Sequence, residues 1–62
     1  MKTSELLDLL HAAGWQLVRQ KGSHRQFRHP SLPGTVTVAG KPSVDVPPGT
    51  EKSILKKAGL KR

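Results

Sequence analysis

Apolar residues recur at helical spacing over the first thirteen positions. At ~100° per residue, Leu6, Leu7, Leu9, Leu10 and Ala13 share one arc, and Glu5, Asp8 and His11 occupy the complementary one. This spacing predicts an amphipathic helix over residues 4–13. Thr3 or Ser4 is placed to cap it, Gly14 supplies a left-handed residue to end it, and Trp15 can fold back on the last turn. From Trp15 to Gln20 the pattern changes to alternation, with Trp15 and Leu17 on one side and Gln16 and Val18 on the other. Lys21-Gly22-Ser23 then reads as a turn into a second run, His24 to His29, so the two runs predict a hairpin.

A second turn, Pro30-Ser31-Leu32-Pro33-Gly34, leads to Thr35-Val36-Thr37-Val38, whose β-branched residues favour a third strand. Residues 39–49 hold three prolines and two glycines, which excludes a regular element and predicts a loop. Helical spacing returns over Thr50–Ala58. Glu51 lies in the first turn, where the helix dipole favours an acid, and Gly59-Leu60 repeats the ending at Gly14-Trp15. On this helix Ile54, Leu55 and Ala58 face one way, and Lys52, Ser53, Lys56 and Lys57 face the other. The order helix, three sequential strands, helix predicts a two-layer α+β domain, an antiparallel three-stranded sheet with two helices on one face and the other face wet.

Length and composition are consistent with one small domain over 1–62. A chain of this size buries only about 60% of the surface it exposes when unfolded, which leaves a thin core. Cysteine is absent, so no disulfide or thiolate metal site holds that core. The acidic residues near the start do not suit a signal peptide, and no apolar run approaches the ~18 residues of a membrane span. A cytoplasmic protein is expected.

Charge changes the picture more. Eleven Lys and Arg against four Asp and Glu give a net charge of +7, which points to an anionic partner, with nucleic acid first because phosphate binding releases counterions. Within that basic setting, Gly22-Ser23-His24 delivers a histidine to the first position of a strand flanked by Lys21, Arg25 and Arg28. Strand alternation puts Phe27 opposite His24, Gln26 and Arg28, so if Phe27 points at the helices His24 faces solvent. His29, five residues on, points to the other side. RNA cleavage needs a base for the 2′-hydroxyl, an acid for the leaving oxygen and cations for charge developing on the phosphate. His24 suits the proton work, Lys21, Arg25 and Arg28 the phosphate, and the Lys52, Lys56 and Lys57 face a wider footprint on the backbone. His11, His24 and His29 lack the spacing of a metal site. Trp15 and Phe27 both read as core, which leaves no aromatic platform for bases.

Gly22-Ser23-His24, Phe27-Arg28-His29-Pro30, the Val-Thr-Val strand, Pro48-Gly49-Thr50 and the ending Ser53-Ile54-Leu55-Lys56-Lys57-Ala58-Gly59-Leu60 together resemble the HicA toxin family over nearly the whole chain. The resemblance implies a fold similar to a double-stranded-RNA-binding domain and a toxin of a type II toxin-antitoxin system. It further implies an mRNA interferase without a cofactor, a HicB-type antitoxin as partner, and His24 as catalytic residue, with Ser23, beside it in the motif, expected among the RNA-binding residues. One segment departs: after the third strand the family commonly shows a Pro-His type segment, and this chain reads Val38-Ala39-Gly40-Lys41-Pro42. Two other readings suit the same charge. One is a non-catalytic RNA-binding module of this fold, and the other a basic interaction domain for an acidic protein.

Overall fold

In the computed structural model, which describes residues 1–60, the chain runs α1 (Thr3–Ala12), β1 (Gln16–Lys21), β2 (His24–Arg28), β3 (Thr35–Val38) and α2 (Pro48–Lys57). The strands form one antiparallel sheet in the order β1-β2-β3, so the His24 strand is central. Phe27, Val36 and Val38 on one sheet face are buried with Leu6 and Leu10 of α1 and Ile54 and Leu55 of α2, completed by Trp15, Val46 and Ala58. Both helices therefore lie on the Phe27 face, and the opposite face, carrying His24, Gln26 and Arg28, is exposed.

Both helix ends form as the Gly-apolar pairs predicted. Gly14 adopts φ 94°, where a Cβ would be strained, and the Trp15 N–H then donates to Leu10 O at 2.9 Å. At α2 the Leu60 N–H donates to Leu55 O at 2.8 Å in the same relation. The two ends meet, because the Trp15 indole N–H donates to Ala58 O at 3.2 Å.

The helix starts differ from expectation. α1 begins at Thr3, and neither Thr3 nor Ser4 caps it. The Thr3 hydroxyl is buried and donates to Val44 O at 2.9 Å, while the Thr3 and Ser4 N–H groups donate to Val44 O and Pro42 O. The loop over residues 39–47 thus satisfies donors that a helix start leaves without partners. Glu5 adds half of a capping box by accepting the Lys2 N–H at 3.0 Å. Val46 is buried and its N–H donates to Met1 O, so this loop is pinned along its length. α2 begins at Pro48 instead of Thr50. A proline at the first helical position loses no hydrogen bond and has φ already set, so Pro48 opens the helix.

Two strands differ from expectation: β1 is shifted by one residue to Gln16–Lys21, and β2 stops one residue early at Arg28. Trp15 precedes β1 in the core, and His29 leaves β2 to make a joint between elements. Its Nδ1 accepts the Ser31 and Leu32 N–H groups at 3.0 and 3.2 Å, so the ring proton is on Nε2, which donates to Ala13 O at 3.0 Å. The ring also packs edge-on to Trp15 with centroids 5.3 Å apart. His29 is bound to the helix layer, as its strand parity predicted.

Candidate active site

The hairpin turn is two residues, Gly22-Ser23, with Lys21 opposite His24. Gly22 has φ 60° and Ser23 does not have positive φ, the pattern of a II′ turn, whose twist matches the flanking strands. Both turn carbonyls are held by side chains. The Gln20 amide donates to Gly22 O at 3.1 Å, and the Arg25 guanidinium donates to Ser23 O at 3.3 Å and to Gly40 O at 2.9 Å. Gln20 and Arg25 are themselves a cross-strand pair on the Phe27 face. The turn that presents His24 is therefore braced from behind, and the loop after β3 is tied to it. The segment that departs from the family pattern supplies a backbone carbonyl, Gly40 O, to this brace.

On the open face His24 is exposed and borders a shallow cavity of about 340 Å³ lined by Arg19, Lys21, His24, Gln26 and Thr37. The ladder explains this set, since Lys21 is opposite His24 and Gln26 lies between Arg19 on β1 and Thr37 on β3. Arg28 is on the same face beside Thr35, four residues from His24, or about 13 Å at ~3.3 Å per residue. No strand carries an acid. Among the described residues the one ion pair joins the N-terminal ammonium to Glu51, at 3.9 Å. The cavity thus offers one titratable ring, two cations and two neutral hydrogen-bonding side chains to an anion.

Not all the residues singled out in the sequence come together. Lys21, Arg28 and the Ser23 turn accompany His24. Arg25 does not: it is half-buried on the helix side with its guanidinium committed to two carbonyls. Lys52 and Lys56 are on the exposed side of α2, in the other layer, and Lys57 reaches the β3 edge, where its ammonium donates to Thr35 O at 3.5 Å.

Arg19 is the lining residue that alternation counted from Trp15 misses, because that count puts it with Leu17 on the core side. Counting back from the two-residue turn finds it: Lys21 opposite His24 puts Lys21 and Arg19 together on the open face. The two counts conflict, and a bulge between Leu17 and Arg19 reconciles them.

A sequence model described as the HicA toxin of bacterial toxin-antitoxin matches residues 3–60. A chain of a solved HicA3 and HicB3 toxin-antitoxin complex is 30% identical, with a TM-score of 0.82 over 100% of this chain and 98% of that chain. No curated protein sequence matches. The α-β-β-β-α architecture, similar to a double-stranded-RNA-binding domain, agrees with that solved chain. By sequence and fold together, the chain belongs to the HicA toxin family of bacterial toxin-antitoxin systems.

Proposed function

We propose that residues 1–62 act as a single domain, a metal-independent endoribonuclease that cleaves mRNA in the cytoplasm, with His24 as the group that moves the proton. The observation that carries this reading is the placement of His24: exposed on an acid-free sheet face, on a braced turn, at the edge of a cavity with two cations. His24 removes the proton of a ribose 2′-hydroxyl, the 2′-oxygen bonds to phosphorus, and the bond to the 5′-oxygen breaks. The imidazolium returns its proton to that oxygen, leaving a 2′,3′-cyclic phosphate and a 5′-hydroxyl. One such group contributes ~10²–10⁴-fold. A slow enzyme suits a toxin that needs few cuts.

Lys21 and Arg28 hold phosphates on the open face, the Ser23 turn sets the approach of the strand, and Lys57 extends the footprint to the β3 edge. Lys52 and Lys56 continue that surface on α2 for longer RNA. The similar solved structure is a complex of a HicA protein with a HicB protein. A HicB-type antitoxin that covers the His24 face is the matching partner here.

The test is incubation of the purified protein and of His24→Ala with a defined RNA in EDTA, followed by analysis of the ends. Wild type leaves 2′,3′-cyclic ends, whereas His24→Ala keeps its circular dichroism spectrum and loses cleavage and growth arrest. Equal toxicity of the folded variant overturns the role of His24. Intact RNA at high wild-type concentration, with affinity falling steeply in salt, would instead identify a non-catalytic RNA-binding module.

A further inference from the structure

Leu17 is opposite Phe27 on the helix side of the sheet and Lys21 is opposite His24 on the open side, yet an odd number of intervening residues would keep both on one face of a strict ladder. The bulge resolves this. The register passes from Leu17↔Phe27 directly to Arg19↔Gln26, leaving Val18 as the extra residue, which is exposed. On the turn side of Val18 the alternation is therefore inverted relative to a count from Leu17, so Arg19 and Lys21 face the open side and Gln20 the helix side. A guanidinium that would otherwise lie under the sheet borders the His24 cavity instead.

We propose that Arg19 is a catalytic residue of the ribonuclease reaction, the cation that stabilises the charge developing on the phosphate, and that the bulge at Val18 is what brings it there. The inference rests on the ribonuclease reading above and assigns a role within that same site. Arg19 is opposite Gln26, two positions from His24, and such diagonal neighbours on one sheet face are ~7–8 Å apart, within reach of a long side chain. Lys21 is directly opposite His24, so a phosphate beside the imidazole has an ammonium on one side and a guanidinium on the diagonal.

The two cations differ in what they offer. As the 2′-oxygen adds and before the 5′-oxygen leaves, negative charge accumulates on the two non-bridging phosphate oxygens. A guanidinium can donate to both in parallel, whereas an ammonium acts as a point charge. Arg19 gives and takes no proton in this step. Its charge is also uncommitted: no carboxylate pairs with it among the described residues, and the strands hold no acid. Arg25, the other guanidinium near the turn, is tied to Ser23 O and Gly40 O on the far face.

The experiment compares wild type, Arg19→Ala, Arg19→Lys and His24→Ala in single-turnover cleavage at saturating protein. Affinity is measured in parallel with the same RNA carrying a 2′-deoxy residue at the cut. Arg19→Ala is expected to lower the cleavage rate about 100-fold or more, as loss of one transition-state donor does, with affinity changed less than about tenfold and the melting temperature kept. Arg19→Lys should recover only part of the rate. A rate for Arg19→Ala within about threefold of wild type overturns the proposal, as does a loss fully accounted for by weaker binding, which would make Arg19 a ground-state contact. If His24→Ala cleaves normally and Arg19→Ala is slow, His24 leaves the mechanism and Arg19 stays. If wild type cleaves no RNA, both readings fall.

Discussion

Arg25 and Arg19 are six residues apart in a basic stretch, and strand parity gives them different duties. Arg19 faces the cavity, whereas Arg25 binds two carbonyls and so fixes both the turn before His24 and the loop after β3. Arg25→Met keeps the aliphatic stem and removes those bonds. Its expected effect is a cleavage rate lowered about tenfold or more, because small displacements of a proton-transfer group are costly. The salt dependence of RNA affinity should not change, since no phosphate contact is lost. A reduced salt slope for Arg25→Met would show that Arg25 does reach the RNA. From sequence, His24 and Arg28 were legible as one face because they share parity on the strand that follows the turn, and Lys21 joined them by charge and by its place beside the turn. Arg25 was grouped with them by charge alone, and charge does not state on which side of a strand a residue stands.

At the scale of elements, what was legible depended on side-chain patterns. The apolar arcs of α1 and α2 and their Gly-apolar endings specify burial and termination locally, and both appear as predicted. The start of α2 was masked because Pro47-Pro48-Gly49 reads as a set of breakers, although a proline at the first helical position breaks nothing. The loop over residues 39–47 was opaque for another reason: apart from the Thr3 hydroxyl, its bonds to α1 run between backbone groups, which leave no residue signature. Two glycines then separate backbone need from tolerance. Gly14 has φ 94°, and a Cβ there would lie 2.9 Å from His29 Nε2 in the joint with Ala13. Gly14→Ala should cost about 2 kcal/mol or more in urea unfolding. Gly49 sits in the first turn of α2 without positive φ, and nothing lies within 4 Å of its added Cβ. Gly49→Ala should stabilise by about 0.5 kcal/mol, by restricting the unfolded chain. Equal effects at the two sites would contradict this division.

Across the whole molecule the acids are kept off the sheet. The strands carry Arg19, Lys21, His24, Arg25 and Arg28 with no acid, while Glu5 and Asp8 are on α1, Asp45 is in the loop bridged to Lys2, and Glu51 is on α2 beside the N-terminus. A polyanion is therefore drawn to the sheet, and the direction it takes from His24 is set by the cations available. Arg28 continues the open face toward the far end of β2, and Lys57 at Thr35 O marks the edge beyond it. Lys52 and Lys56 can be reached only by an RNA long enough to pass that edge into the other layer. Each phosphate contact removed should reduce the slope of log affinity against log salt by ~0.7 for a single strand. With a short RNA centred on the cut, Lys21→Ala and Arg28→Ala should each lower the slope by about that amount, and Lys52→Ala should not change it. With a longer RNA, Lys57→Ala should begin to lower it first, and Lys52→Ala only after further extension. A slope that responds to Lys52→Ala on the short RNA would place the nucleic acid on the helix layer. The open face would then have to be reassigned to the protein partner.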